Sequence, residues 1–450
     1  MERRRRRGPS RDEVAEWLTS LGKRARRTAG ELREGAGPAA RRAAARAWEA
    51  GGALAARSAR YAGAWWRLVV RHYRGLGLGE AGRRAYQEVI ASPKRNLAVY
   101  ALVATAWVTL IVWGRLILPL ATTPYAKPLG AFHVVAFFEN GAGPFYPDSF
   151  PVLRQNYGLF DIVSPFWHSV DPAGEIASDG FRPGVVREAR SRGLKIIPLV
   201  NNAKDGAGNS WDAIRTQAAR SRTVANLAAL AEARGYDGLN IGFELLPPEA
   251  RLDYAAFIDE LASALRTQGQ VLAVSAFSDV ELPPVISGFF DYERIGQAAD
   301  YVILLGYDRH WTNTQPGPVS PLPWVEASID SLLKHVPARK VILAIGTHAY
   351  DWPQDRGAGL PEYLPTATAL DRAAEAGAEV VNEEPVRQRF FTYLDSTGAA
   401  REVWVQDAGH IADKLLLARR KGLRGVAIWR LGFSEPGALD TLARALGRWR

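Results

Sequence analysis

The 450-residue chain contains no cysteine. Disulfide scaffolds, cysteine-ligated zinc or iron–sulfur centres and cysteine nucleophiles are therefore excluded. An oxidising compartment is not, because a large core needs no covalent staples. A Gly-x-Gly-x-x-Gly turn after the first strand, a P-loop, a serine nucleophile elbow and a His-Glu-x-x-His helix are missing as well. His133, His168, His310 and His348 fall at no metal-ligand spacing, so neither metal nor cofactor is expected. Apolar residues are not scarce: 47% apolar against 23% charged excludes a wholly disordered chain.

Acidic residues are scarce in one region only. Residues 1–95 hold 23 Lys+Arg against 9 Asp+Glu, whereas the rest of the chain holds 34 against 38. The net charge of +10 thus resides in the N-terminal fifth, and such asymmetry points to an anionic surface, lipid or nucleic acid. No helix-turn-helix, zinc-finger or RNA-motif pattern accompanies it, so nucleic-acid binding is not supported. Arg3–Arg7 is a bare charge run. Segments 12–34 and 39–74, rich in Ala and Arg with Trp48, Trp65, Trp66, Leu68 and Val69 interspersed, read as basic amphipathic helices on an anionic leaflet. A solvated tail with no specific partner is the competing reading.

Asn96 to Gly114 (NLAVYALVATAWVTLIVWG) runs for 19 residues without a charge. At 1.5 Å per residue that is about 28 Å, close to the hydrocarbon thickness of a bilayer. Arg115 follows and can snorkel to the interface. The expectation is one signal-anchor helix over 96–121, weighed against a buried core helix and a cleaved signal peptide. A 95-residue basic preface is far longer than an ordinary signal n-region. Lys94, Arg95 and the arginines upstream place the N-terminus in the cytoplasm by the positive-inside rule. A single-pass protein of the cell membrane is expected, with the rest of the chain extracytoplasmic.

Beyond about Leu129, short apolar runs alternate with amphipathic stretches. The runs are Phe132–Phe138, Ile162–Trp167, Lys195–Val200, Gly238–Phe243, Val271–Phe277, Tyr301–Gly306, Lys340–Ile345 and Gly425–Trp429. Helical patterns fall between most of them, as at 215–234, 248–267, 324–336 and 410–421. Eight alternating units predict an α/β fold, a closed (β/α)₈ TIM barrel over 127–450. An open doubly wound sheet is the runner-up. The longest interval, after the seventh run, predicts a small α+β insertion at about 353–405, with a hairpin at 387–407 around Ser-Thr-Gly.

The fourth run ends at a carboxylate. In Tyr236-Asp-Gly-Leu-Asn-Ile-Gly-Phe-Glu244, strand alternation puts Asn240, Gly242 and Glu244 on one face and Leu239, Ile241 and Phe243 on the other. The apolar face must meet the helices, so the polar face points into the barrel. Glu244 then sits at the C-terminal end of the strand, where barrel enzymes build their sites. A carboxylate there, ringed by aromatics, is a candidate general acid with a raised pKa. A solvated Glu opening the next loop is the alternative.

Asp237-Gly-Leu-Asn-Ile-Gly-Phe-Glu244 resembles the DxxDxDxE pattern of glycoside hydrolase family 18. Residues 245–266 (LLPPEARLDYAAFIDELASALR) resemble its spore-cortex-lytic N-acetylglucosaminidase subgroup. Leu304-Leu-Gly-Tyr-Asp308, the stretch 309–326, Ala349-Tyr-Asp-Trp352, Glu402–Asp407 and Gly425–Gly432 match further motifs in the same order, over about 130–448. The resemblance implies a retaining glycosidase acting on β-1,4 bonds beside N-acetylglucosamine, in peptidoglycan, above all spore cortex, or in chitin-type oligomers. The sugar's own acetamido oxygen would serve as nucleophile, family 18 being an exception to the two-carboxylate pattern. Glu244 would be the acid/base, and Tyr307 and Asp308 would act on the acetamido and the sugar. Asp237, Asn240 and Trp429 would contact substrate; Trp167 and Phe277, near other strand ends, are candidates to stack on sugar faces, with a core or surface role as the alternative.

The chain departs from the pattern at residue 242. Gly stands where the family places the Asp that orients the acetamido group. Loss of such an electrostatic stabiliser typically costs about 10²–10³ in rate. A catalytically impaired glycan-binding protein on the same barrel is therefore the second expectation.

Overall fold

The computed structural model describes residues 132–448, apart from 143–145, 203–210, 356 and 358. The basic segment 1–95 and the expected membrane span at 96–121 lie outside the described residues. Among the described residues no helix is long and apolar enough to cross a membrane.

Eight parallel staves close into a barrel. β1 (His133–Phe138) pairs with β2 (Ile162–Val170), which carries a short antiparallel partner, β3 (Ile176–Ala177). The third stave is split at Ile197-Pro198 into β4 (Lys195–Ile196) and β5 (Leu199–Asn201). β6 (Gly238–Gly242), β7 (Val271–Ala276), β8 (Tyr301–Leu305) and β9 (Val341–Gly346) follow in order. An inserted sheet holds β10 (His348–Pro353), β11 (Glu362–Pro365), β12 (Val381–Glu383), β13 (Gln388–Leu394) and β14 (Ala400–Val405). β15 (Gly425–Trp429) completes the barrel between β9 and β1.

Side-chain alternation divides the core into two shells. Val135, Phe137, Leu199, Ala273, Ile303 and Ile342 point inward and fill the barrel. Leu239, Ile241 and Phe243 point outward to the helices. Helix Arg251–Thr267 buries Tyr254, Phe257, Ile258, Leu261 and Leu265, a three-to-four-residue repeat that makes one apolar face. Phe243 stacks on Phe257 with ring centroids 5.5 Å apart. Burying each such ring is worth about 1.5–3 kcal/mol, which is why the strand's apolar set faces outward. Helix Gln217–Arg234 starts where the Thr216 hydroxyl accepts from the Ala219 N–H and ends at left-handed Gly235.

The foot of the barrel has a repeated device. Asp161, Asp237 and Asp300 each immediately precede a strand. Each accepts the backbone N–H of a residue on the adjacent strand: Val134 at 2.8 Å, Ile196 at 2.9 Å and Leu272 at 2.9 Å.

The insertion is an antiparallel five-stranded sheet, ordered β11-β10-β14-β13-β12, with helix Thr366–Ala376 against it. It begins at His348, directly after β9, because β10 pairs with β14 along Tyr350–Pro353. The hairpin around Ser-Thr-Gly is β13–β14. Asp351, fully buried, accepts from Arg401 at 2.6 Å, Arg372 at 2.6 Å and Tyr393 at 2.7 Å. The cluster ties the three inner strands β10, β14 and β13 and the packed helix to one buried anion.

Candidate active site

The C-terminal ends of the staves surround a cavity of about 370 Å³. Its floor is made by Phe137, Leu199, Gly242, Ser275, Leu305 and Trp429, and its walls carry Glu139, Glu244 and Asp308. The insertion contributes Tyr350 and Tyr363. A wider dent of about 590 Å³ lies outside the barrel along helix Pro183–Ser191. Its carboxylate, Glu188, is paired with Arg154 at 2.9 Å, so it offers no free acid.

Glu244 stands two residues beyond β6. Its side chain is accessible, but only onto the cavity, where protein atoms crowd it on most sides. That desolvation disfavours the anion, and the nearby Asp308 charge adds to it. The Glu244 pKa rises from 4.5 to about 7. Its backbone is held from β5's end: the Asn202 side chain accepts the Glu244 N–H at 2.9 Å and donates to the Glu244 carbonyl at 2.9 Å.

Asp308 follows β8 in a left-handed conformation, φ 63°. Its Oδ1 accepts from His348 Nε2 at 2.8 Å and from the Tyr350 hydroxyl at 3.2 Å. A carboxylate can only accept, so His348 carries its proton on Nε2. Tyr307, beside it, is buried, and its hydroxyl pKa lies well above 10 through burial and the charges of Asp308 and Glu244. It therefore stays a donor. Tyr307 stacks with Trp429, ring centroids 6.3 Å apart, and Phe137 and Phe166 meet the same indole edge-on. Glu139, the remaining carboxylate of the cavity, is ion-paired with buried Arg430.

Gly242 lies on the floor beneath Glu244. A Cβ added there would sit 3.1–3.4 Å from three carbons of Leu199. The space a side chain at 242 would use is thus occupied by leucine, and the floor under the acid is apolar.

The structure brings Glu244, Tyr307, Asp308, Trp429 and Phe277 to one cavity. It does not bring Asp237, Asn240 or Trp167 there. Asp237 is at the opposite end of β6, where it accepts the Ile196 N–H. Asn240 is fully buried inside the barrel, accepting from Ser275 and donating to Ser164. Trp167 faces outward, packed edge-on against Phe138 and Phe181 with its indole N–H on Asn140. A register irregularity between Phe166 and His168 accompanies this arrangement, and Phe166 is the ring that lines the cavity. Asn202, His348 and Tyr363 carry no motif of their own; only long-range pairing brings them to the site, beside Tyr350 of the Ala349–Trp352 stretch and Leu199 of the third apolar run.

An acid on the cavity wall with a pKa near 7, facing a phenol donor, a second carboxylate and an indole floor, can protonate a leaving oxygen next to a sugar ring. Comparison with known proteins agrees. The model of glycosyl hydrolases family 18 matches residues 172–433. YdhD of Bacillus subtilis (strain 168), named as a sporulation-specific glycosylase, is 27% identical over 331 residues, 70% of this chain and 78% of its own. The cortical fragment-lytic enzyme of the same organism is 26% identical over 229 residues, covering 50% of this chain and 53% of its own. The crystal structure of a chitinase from Chromobacterium violaceum ATCC 12472 matches with a TM-score of 0.65 at 25% identity, over 71% of this chain and 100% of its own. The chain belongs to glycoside hydrolase family 18 and is a glycoside hydrolase.

Proposed function

We propose that the protein cleaves β-1,4 bonds beside N-acetylglucosamine with retention, using Glu244 as acid and then base and the substrate's acetamido oxygen as nucleophile. Peptidoglycan of the spore-cortex type is the favoured polymer, since the relatives include proteins named for cortical fragments and sporulation. Chitin-type oligomers come second. The barrel is held outside the cell membrane by segment 96–121, with the basic segment 1–95 in the cytoplasm against anionic lipid. The observation that carries the catalytic reading is the Glu244 carboxyl, desolvated to a pKa of about 7 in a cavity floored by Trp429 and faced by Tyr307 and Asp308. Such an acid is half protonated at neutral pH, as proton donation to a leaving sugar oxygen requires.

Leu199 over Gly242 favours a second reading, glycan binding with little turnover, because residue 242 lacks the carboxylate that the family uses to orient the acetamido group and leucine side-chain carbons stand 3.1–3.4 Å from where its Cβ would be. Product release from peptidoglycan and N-acetylglucosamine oligomers by the full chain separates the two. The expected result is release by wild type that falls by at least about 10³ in Glu244→Gln, within the range of a lost general acid. Saturable binding with no release by wild type would replace hydrolysis with recognition.

A further inference from the structure

β5 and β6 pair in parallel only as far as Asn201 and Gly242. Beyond that point the chain must leave the sheet and turn. Leu245, immediately after the acid, has φ 56° and an exposed side chain. A left-handed leucine is strained and persists only where neighbouring structure over-determines it. Among the described residues the Glu244 carboxylate has no hydrogen-bond partner, and the influences on it are burial and the Asp308 charge. Nothing therefore steers its side chain directly. Its direction over the cavity is set by where its own peptide is held.

That peptide is held by Asn202. The Asn202 side chain is 4% exposed, and both ends of its amide are engaged with the same residue, accepting from Glu244 N–H and donating to Glu244 C=O, each at 2.9 Å. A side-chain carboxamide has the donor and acceptor of a peptide group. Here it acts as one further rung of the β5–β6 ladder, placed where the backbone itself no longer pairs. We propose that Asn202 is the positioning residue of this site, a side-chain rung that holds Glu244 over the cavity while the chain turns away at Leu245. The proposal rests on Glu244 being the acid, as read above, but its geometry stands without turnover.

Two substitutions act oppositely. Asn202→Leu keeps the bulk and removes both bonds, so the acid relaxes from the crowded wall. Asn202→Asp keeps the acceptor for Glu244 N–H, loses the donor to Glu244 C=O and brings a negative charge beside the acid. The titratable groups facing the cavity with Glu244 are Asp308 and Tyr307 from the end of β8, Tyr350 and Tyr363 from the insertion, and Glu139 with its partner Arg430; neither substitution alters them.

The test uses the full chain with carboxyl-¹³C-glutamate, Glu244 being assigned through Glu244→Gln, together with kcat and KM on N-acetylglucosamine oligomers. Asn202→Leu is expected to lower kcat by about 10–10², in line with a misplaced acid, with KM changed less than threefold. The Glu244 titration should move down from about 7 towards 4.5, and in Asn202→Asp it should move up. A fall in melting temperature with kcat and the Glu244 titration unchanged in both variants would overturn the proposal and leave Asn202 a purely structural residue. Should Asn202→Leu fail to fold, Asn202→Ala, which removes both bonds without adding charge, decides by the same readout: a lowered kcat with a Glu244 titration moved down supports the proposal, and both unchanged overturn it. If wild type shows no turnover, the hydrolytic reading fails, and the NMR titration still decides whether Asn202 sets the position of Glu244.

Discussion

The barrel places carboxylates at both ends, and the two ends use them in opposite ways. At the foot, Asp161, Asp237 and Asp300 stand just before strands and accept backbone N–H groups of the neighbouring strand. Each satisfies a donor that the sheet's start would otherwise leave unpaired. At the mouth, Glu244 and Asp308 stand just after strands and face an enclosed space. There the cavity wall opposes the charge on Glu244 instead of bonding it, and its pKa climbs to about 7. One residue chemistry thus serves as mortar at one end and as a reagent at the other. The fourth-strand motif contains both uses: Asp237 belongs to the foot and Glu244 to the mouth.

This contrast can be broken by measurement. Asp308→Asn should reduce kcat by about 10²–10³, the size of a lost electrostatic stabiliser, while the melting temperature stays within a few degrees, since Asn can still accept from His348. An equal loss of stability would put Asp308 with the foot residues. Asp237→Ala should do the reverse. It leaves the Ile196 N–H unpaired and destabilises the fold by about 1–3 kcal/mol in chemical denaturation, with kcat kept within threefold. A large loss of kcat with full stability would return Asp237 to the catalytic apparatus.

The last comparison is the pH dependence of stability. The folded chain holds Glu244 protonated up to about pH 7, whereas an ordinary glutamate ionises near 4.5. Between those values only the unfolded chain releases this proton, so wild type loses stability relative to Glu244→Gln as pH rises from 4.5 to 7. Below 4.5 the two should coincide. Activity should fall on the same side, as pH rises past about 7 and the acid is deprotonated. A Glu244→Gln stability profile parallel to wild type across this window would show that the carboxyl is ordinarily solvated.

What the sequence made legible follows from periodicity. Eight apolar runs mark eight staves, and strict alternation along β6 puts Leu239, Ile241 and Phe243 against the helices, with Gly242 and Glu244 on the side of the cavity. Alternation also holds along β2 as far as Trp167: Ile162, Ser164 and Phe166 face the barrel interior and Val163 and Trp167 the helices, so the ring at the cavity is Phe166 and Trp167 is packed behind it. Motif position misleads in a different way at Asp237, where a carboxylate seven residues before the acid completes a backbone pairing. Asn202, His348 and Tyr363 could not be read at all. They lie 40–120 residues from Glu244 or come from the inserted sheet, and only the closing of the barrel and the β10–β11 pairing places them.

The contact between Leu199 and Gly242 ties two positions on neighbouring strands into one unit. A Cβ at 242 would sit 3.1–3.4 Å from three Leu199 carbons, tight enough that the leucine must give by a few tenths of an ångström. Shrinking Leu199 alone would leave a gap in a floor where it is 6% exposed, a loss that removal of buried methyl groups makes costly. Substitutions at the two positions should therefore be non-additive: a smaller residue at 199 makes room for a carboxylate at 242, and that carboxylate fills the gap the smaller residue leaves.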